Sequence, residues 1–232
     1  MVGAIGGPTL AADAAPNPWF SWSYVTDNGP TILRYLGEHV RLTVLAVLIG
    51  AVIALPVALI ARRFRFTAAP LLGLSTIIYT IPSLALFALL FPVSGLSSTT
   101  VLIGLTAYSL VVLVRNFLAG LTGVPGDVRE AARGMGYGST RMFFSVDLPL
   151  ALPTFIAGLR IATVTTVAET TVGVLVGHGG LGQLIVGGFN ANFFRAEIVT
   201  GALGCVLLAL LFDLALSGVG RALTPWTRLR AA

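Results

Sequence analysis

Five long apolar runs dominate the pattern of hydrophobic and polar positions along the chain. They cover approximately residues 40–60, 68–91, 99–121, 150–176 and 196–219. A helix of about 20 apolar residues spans the hydrocarbon core of a bilayer, where no water is available to unpaired backbone groups. The alternating apolar and polar pattern of a membrane barrel is missing. The sequence therefore predicts an all-α polytopic membrane protein with about five transmembrane helices.

The composition agrees with a protein whose main solvent is lipid. Hydrophobic residues make up 56% of the 232 residues and charged residues only 10%, against roughly 25% in soluble domains. All 14 basic residues are arginine, which excludes a P-loop and a lysine Schiff base. Cys205 is the only cysteine, so an internal disulfide is excluded. These facts argue against a cytosolic enzyme.

The placement of the arginines predicts the orientation of the spans. Nine of them share one predicted side of the membrane, namely Arg62, Arg63, Arg65, Arg129, Arg133, Arg141, Arg221, Arg228 and Arg230. The other side has Arg34 and Arg195, with Arg41 at its margin. Because basic residues are enriched on the cytoplasmic side, the N-terminus is expected outside and the C-terminus inside, and no nucleic-acid partner is expected. The predicted parts are an extracytoplasmic N-terminal segment, a transmembrane domain and a cytoplasmic tail, over residues 1–38, 39–220 and 221–232.

The longest predicted cytoplasmic connection, residues 122–147, has the pattern of a short amphipathic helix. Asp127 is expected to cap its N-terminus, with Glu130 as the capping-box partner, and Gly134 and Gly136 are expected to end it. One apolar stripe is expected, formed by Val128, Ala131, Ala132 and Met135. Such a helix either lies against lipid or docks in a groove of a soluble partner. The residues alone leave both interpretations open.

Arg160, Glu169 and Asp213 are ionisable residues deep inside the apolar runs, where charges are costly. Arg160 and Glu169 are nine positions apart and would lie on opposite faces of one helix, so each needs a partner on another span or subunit. We interpret Arg160 and Asp213 as structural residues. Glu169 beside a water-filled path would favour a cationic solute, whereas a protonated or hydrogen-bonded packing role is the alternative.

Other residues inside the runs have two interpretations each. The ring of Tyr108 could contact a quaternary ammonium by cation–π attraction or could simply pack. Pro56, Pro82 and Pro153 are expected to kink their helices, either as packing features or as hinges. The histidines have no partners at metal-ligand spacing, and neither HExxH nor GxSxG occurs, so neither a metal site nor an enzyme is predicted.

The connection over 122–147 resembles a loop of a known transporter family. Glu130-Ala131-Ala132 is followed after three residues by Gly136, after nine more by Val146, and after one further residue by Leu148-Pro149. This spacing is similar to the EAA–G–I–LP loop of bacterial ABC importer permeases, with valine in place of isoleucine. The resemblance implies a coupling helix that docks on an ATP-hydrolysing subunit. The implied coupling residues are Asp127, Glu130, Ala131, Ala132, Gly136, Leu148 and Pro149.

More of the chain is similar to one branch of these binding-protein-dependent, methionine-permease-like type I permeases. The stretches that carry this resemblance are YTIPSLAL at 79–86, VRN at 114–116, GLR at 158–160 and GGLGQLI at 179–185. They resemble the glycine betaine/choline (quaternary-amine) permeases. His178 and Glu169 depart from the pattern of that branch.

The resemblance implies a permease subunit of an ATP-driven importer for glycine betaine, choline, carnitine or proline betaine in the bacterial inner membrane. The implied partners are ATP-binding subunits that hold ATP and Mg, a second permease subunit and an extracytoplasmic solute-binding protein. No cofactor and no catalytic residue are expected in this chain. The substrate-path candidates are Glu169, Tyr108, Tyr79 and Pro82. The alternatives are a permease for another small solute such as methionine, or a small channel.

Overall fold

The computed structural model describes residues 17–226, without the side chain of Arg65, and this part of the chain contains helices and no strand. The helices are α1 (Trp22–Asp27), α2 (Gly29–Arg63), α3 (Arg65–Thr80), α4 (Ser83–Ser94), α5 (Ser98–Thr122), α6 (Gly126–Gly134), α7 (Ser139–Met142), α8 (Leu148–Val172), α9 (Gly182–Asn190) and α10 (Arg195–Leu223). A π-helical turn, Phe143–Asp147, joins α7 to α8, and a 3-10 turn, Gly173–Val176, follows α8.

Four to five helical segments are long and apolar enough to cross a membrane. Four are unbroken, namely Gly29–Arg63, Ser98–Thr122, Ser139–Val176 and Arg195–Leu223. The fifth combines α3 and α4, which are bent by 95° relative to each other. The predicted all-α fold with about five spans is therefore confirmed. The expectation that 68–91 forms one kinked helix is replaced by two helices at nearly a right angle.

The break between α3 and α4 follows from Pro82. A proline ring disfavours the helical conformation of the preceding residue, and Ile81 is indeed extended, with φ −69° and ψ 123°. Pro82 then precedes α4, and its carbonyl accepts a hydrogen bond from the Leu86 N–H at 3.0 Å. Pro56 and Pro153, by contrast, lie inside the unbroken helices α2 and α8.

Helix α5 forms the centre of the bundle between α2 and α8. Its Leu113, Phe117 and Leu121 pack on small residues of α2 and on Phe155 of α8, whose ring stacks on Phe117 at 4.4 Å between centroids. Close approach requires Gly50 in α2, because a Cβ atom there would lie 2.5 Å from the Ser109 hydroxyl oxygen. Small residues thus allow the apolar helices to pack closely by van der Waals contact, without the hydrophobic effect that drives packing in water.

The outer helix α10 contacts α8 and α9 but buries little of its surface. Only 11% of its most apolar stretch is buried. A bidentate ion pair attaches it to α8, since the Arg160 Nε and Nη2 atoms donate to the two Asp213 carboxylate oxygens at 2.8 Å each. Arg160 therefore has its partner on another span, as predicted, and does not pair with Glu169.

Two predicted boundaries differ from the helices observed. Helix α2 begins at Gly29, so the predicted start of the membrane domain at residue 39 lies within a helix. Helix α10 continues to Leu223, past the predicted boundary at 220. Part of the predicted N-terminal segment (1–16) and the arginines at 228 and 230 lie outside the described residues.

Candidate functional site

The connection between α5 and α8 contains the short helix α6, as the pattern of residues 122–147 predicts. The expected cap is wrong, because the helix begins at Gly126 and Pro125 occupies the N-cap position without a side-chain hydrogen bond. The Pro125 carbonyl already accepts the Arg129 N–H, at 3.4 Å, so the first turn starts before Asp127. Asp127 therefore lies in the first turn, where a negative charge favours the helix dipole.

Helix α6 ends in a Schellman motif that requires Gly136. Met135 is the C-cap residue, and Gly136 has a left-handed φ of +81°. The Gly136 N–H donates to the Arg133 carbonyl at 2.9 Å, and the Tyr137 N–H donates to the Ala132 carbonyl at 3.1 Å. Glycine adopts this conformation without the steric penalty of a Cβ atom. The predicted end of the helix is confirmed, and the left-handed conformation at position 136 explains the glycine of the motif.

The apolar stripe of α6 is divided between two faces. Val128, Ala131 and Met135 are exposed, and 67% of the Met135 surface is accessible. Ala132 is only 2% exposed and packs on its own chain, so its expected place on the docking stripe is wrong. The reason is that Ala132 shares a face with Arg129, which an ion pair holds against the bundle. The exposed surface formed by Val128, Ala131 and Met135 is called the α6 outer face.

Three charged residues attach α6 to the bundle, and we call them the ion triad. The buried Asp147 Oδ1 accepts a hydrogen bond from Arg62 Nη2 at 2.8 Å and lies 3.2 Å from Arg129 Nε. Arg62 is at the end of α2, Arg129 is on α6, and Asp147 immediately precedes Leu148, the first residue of α8. The triad therefore links the loop to two spans.

The surroundings of the ion triad are open and basic. A cavity of about 550 Å³ lies beside it, and its lining includes Arg62, Arg63, Arg129, Arg133, Tyr137 and Asp147. Ala132 is the only buried residue of α6. The helix is therefore joined to the bundle by charge and by one small contact, with most of its surface left free. We call this end of the bundle the coupling-loop end.

The last two residues of the motif start a membrane helix. Leu148 and Pro149 occupy the first two positions of α8, directly after the π-helical turn Phe143–Asp147. Both are half-buried. Their role in this structure is to direct the chain from the loop back into the bundle.

A second cluster brings together three of the four predicted substrate-path residues, with the fourth beside them. The rings of Tyr79 on α3 and Tyr108 on α5 meet edge to face, with centroids 6.2 Å apart. The Tyr108 hydroxyl donates to the Ile81 carbonyl, which places it next to Pro82 at the α3–α4 break. Glu169 on α8 interacts electrostatically with Tyr108. We call Tyr79, Tyr108 and Glu169 the Tyr–Glu cluster.

One carboxylate oxygen in the Tyr–Glu cluster has no partner. Glu169 Oε2 is buried and accepts no hydrogen bond from any residue in the range 17–226. The alternative interpretation of Glu169, as a packing residue satisfied by hydrogen bonds, therefore has no support at this oxygen. An unpaired carboxyl group inside a membrane protein commonly marks a functional position.

At the opposite end of the bundle, His39 joins α2, α8 and the glycine-rich segment before α9. Its Nε2–H donates to the Val167 carbonyl at 3.0 Å, and its Nδ1 accepts the Leu181 N–H at 3.3 Å, which requires a neutral ring. Gly180 approaches so closely that a Cβ atom would lie 2.6 Å from the His39 Cβ. The Nδ1 atom of His178 lies 2.9 Å from the Oε1 atom of Glu38. The glycines thus permit a tight loop.

Sequence analysis missed the ion triad and the convergence of the Tyr–Glu cluster. Asp147 is the acidic residue directly before Leu148-Pro149 and is followed by an apolar run, so a basic partner could have been expected. Which arginine pairs with it depends on tertiary packing. The arrangement as a whole is that of a polytopic helical membrane protein that presents a short helix at one end.

The comparisons with known proteins identify the family. Residues 42–229 match the family described as "Binding-protein-dependent transport system inner membrane component", and the chain belongs to this family. Its members are transport-system components of the inner membrane, so the role of the chain is transport rather than catalysis.

Curated relatives are similar over nearly their whole length. The glycine betaine/carnitine/choline transport system permease protein OpuCD of Bacillus subtilis (strain 168) is 36% identical over 203 residues, which cover 88% of this chain and 89% of the relative. The choline transport system permease protein OpuBD of the same organism is 35% identical, with 90% and 92% covered. The osmoprotectant import permease protein OsmW of Salmonella typhimurium (strain LT2) is also 35% identical, with 87% and 96% covered.

Solved structures show the same fold. A chain of the MetNI methionine ABC transporter in an inward facing conformation superposes with a TM-score of 0.72 at 24% identity, covering 83% of this chain and 96% of that chain. A chain of an amino acid ABC transporter with histidines gives 0.71 at 20% identity, with 87% and 98% covered. The resemblance to methionine-permease-like ABC permeases and to the quaternary-amine branch is thereby confirmed.

Proposed function

We propose that the chain is the transmembrane permease subunit of an ATP-driven ABC importer for osmoprotectants of the quaternary-ammonium class. The substrate class is supported by relatives named as glycine betaine, carnitine and choline permeases at about 35% identity over almost the whole chain. The α6 outer face, exposed at one end of the bundle, is the single structural observation that carries the coupling to a separate ATPase.

The coupling works through the α6 outer face. Val128, Ala131 and Met135 seat in a groove of an ATP-binding subunit, in the manner of helix-in-groove recognition. Movement of that subunit displaces α6, and the ion triad carries the displacement to the end of α2 and the start of α8. This requires the coupling-loop end to face the cytoplasm, which agrees with the arginines near it.

The transport cycle is alternating access between two permease subunits. An extracytoplasmic binding protein delivers the solute to the end of the bundle opposite α6, and the partner ATPase binds ATP and Mg. The exposed surfaces of α10 and of the α3–α4 break are the parts of this chain available to a second subunit, to lipid or to the path. The solute then leaves on the cytoplasmic side.

The experiment is purification of the chain with its ATP-binding subunits and binding protein, followed by ATPase assays in proteoliposomes. Glycine betaine, choline, carnitine, proline betaine and methionine are compared as stimulating solutes. We expect the quaternary ammonium solutes to stimulate hydrolysis and methionine to leave it unchanged. Stimulation by methionine alone would show a methionine permease, and ion flux through the chain without ATP would show a channel.

A further inference from the structure

The α3–α4 break marks a polar surface within the membrane segment. The two helices together are apolar enough to span a bilayer, yet the backbone leaves the helical conformation at Ile81 and Pro82. Non-helical backbone at membrane depth is tolerated only where protein covers it or where it lines a water-filled cavity. One exposed group is satisfied by the chain itself, since Ile81 accepts the Tyr108 hydroxyl. The break is therefore a place where a polar solute can be accommodated.

Two aromatic rings meet at this break, and one of them, Tyr79, is exposed. Tyr108 is only 7% exposed and its hydroxyl donates to the Ile81 carbonyl, so its ring is fixed and supports the Tyr79 ring. Tyr79 meets it edge to face and is 54% exposed, which leaves the Tyr79 ring accessible. A quaternary ammonium has no N–H to donate, and aromatic faces together with nearby negative charge are the groups that recognise it.

Glu169 adds a carboxyl group that forms no ion pair with any basic residue in the range 17–226. Two arginines of the membrane segments are engaged elsewhere, Arg160 with Asp213 and Arg115 with the Thr76 hydroxyl at 2.6 Å. The chain contains no lysine. Across residues 17–226, Glu169 forms no ion pair, and its buried Oε2 has no hydrogen-bond donor. A carboxylate in such a place needs a counter-charge, which a passing cation can supply.

We propose that the Tyr–Glu cluster is a binding site in the permease for the quaternary ammonium group of the solute, and that Glu169 selects solutes with net positive charge. This inference rests on the proposed function and adds a specificity to it. Choline carries one positive charge and no carboxylate, so Glu169 attracts it without an opposing repulsion. Glycine betaine is a zwitterion, and repulsion between its carboxylate and Glu169 offsets the attraction of its ammonium group.

The test is Glu169→Gln in the complete transporter, reconstituted in proteoliposomes with saturating binding protein. Initial uptake rates of labelled choline and glycine betaine are measured side by side. We expect choline uptake to fall about tenfold and glycine betaine uptake to change by less than about twofold, since a tenfold change corresponds to about 1.4 kcal/mol of lost attraction. Glu197→Gln, which removes a carboxylate in the first turn of α10, is the charge-matched control and should leave the ratio of the two rates as in the wild type.

The ring contribution is tested separately at the exposed Tyr79, where substitution leaves the buried core intact. Tyr79→Leu should lower uptake of both solutes by similar factors, because both carry the trimethylammonium group. Tyr79→Phe keeps the ring and should retain more uptake than Tyr79→Leu. Equal uptake by the two variants would show that the ring does not bind the solute.

Further outcomes separate a wrong site from a wrong function. If the wild type takes up both solutes and Glu169→Gln lowers them by the same factor, or lowers neither, the selectivity of Glu169 is wrong while the proposed function stands. If Glu169→Gln prevents assembly, Glu169 is a structural residue and its part in the site is overturned. The comparison of Tyr79→Leu with Tyr79→Phe then decides whether the Tyr79 ring binds the solute. If the wild type takes up neither solute in the presence of ATP, the proposed function itself fails.

Discussion

At the scale of single residues, the position of Asp147 shows how one carboxylate organises the coupling-loop end. It is buried, it touches Arg62 and Arg129, and these two arginines come from separate helices. Removing one partner of a buried ion pair leaves the other charge uncompensated, which costs more than the pair itself contributes. The loss of Asp147 would leave two arginines facing each other across the gap between α2 and α6.

We therefore expect Asp147→Asn to loosen α6 and to uncouple the transporter. Arg129 is partly exposed, so water would relieve some of the repulsion, and the loss of stability should be roughly 1–3 kcal/mol. Thermal unfolding of the purified complex measures the stability, and uptake per ATP hydrolysed measures the coupling. Asp127→Asn makes the same change on an exposed residue of the same loop and should have little effect on stability. Wild-type coupling in Asp147→Asn would contradict the role of the ion triad.

Individual residues were easier to predict from the sequence than their contacts. Glu169 and Tyr108 stand out because polar groups are rare in apolar runs, and both are predicted as candidates for that reason. Their convergence with Tyr79 depends on how α3, α5 and α8 pack, and residues distant in the chain carry no local pattern for it. The same holds for Asp147, whose partners lie 85 and 18 positions away.

At the scale of elements, α6 depends on its C-terminal glycine. Gly136→Ala would place a Cβ atom on a left-handed residue and cost about 1 kcal/mol, whereas Gly134 lies within the helix with open space around it. We expect faster amide hydrogen exchange in α6 and less uptake per ATP for Gly136→Ala. Gly134→Ala is the matched control and should slow exchange, because alanine favours helix by up to about 1 kcal/mol. The same exchange rates in both variants would contradict this role of Gly136.

The two faces of α6 should respond differently to larger side chains. Ala131→Trp on the α6 outer face is expected to block binding of the ATP-binding subunit without destabilising the bundle. Ala132→Leu should instead destabilise the bundle by about 1–3 kcal/mol, because the position is buried in the chain itself. Co-purification of the ATP-binding subunit and thermal unfolding distinguish the two effects. If Ala131→Trp destabilises and still binds, the assignment of faces is wrong.

Elements were predicted well where the pattern is local and less well at their ends. The amphipathic pattern of residues 126–134 and the glycine that follows predicted α6 correctly. The predicted cap is wrong because Pro125, two residues before Asp127, occupies the N-cap position. The sharp break at Pro82 was expected only as a kink, since the sequence does not show whether neighbouring helices accommodate a bend of 95°.

At the scale of the whole molecule, the structure combines a compact three-helix centre with peripheral elements that bury little surface. Helices α2, α5 and α8 pack through small residues, while α10 is held by its contacts with α8 and α9 and by the Arg160–Asp213 pair. The number of spans follows from the apolar runs, because membrane thickness fixes helix length. The small residues that allow close approach determine which helices form the centre. The sequence alone did not show which helices these are.

The most direct test of the account is whether α6 contacts the ATPase in the assembled transporter. The single native cysteine allows a clean design, with Cys205→Ser as background and Met135→Cys carrying a photo-activated benzophenone label. Phe193→Cys, exposed before α10 at the opposite end, is the matched control. The account predicts that light joins the Met135→Cys chain to the ATP-binding subunit and leaves the Phe193→Cys chain unattached to it. An assembled, active transporter in which the label at position 135 never reaches the ATP-binding subunit would contradict the central claim.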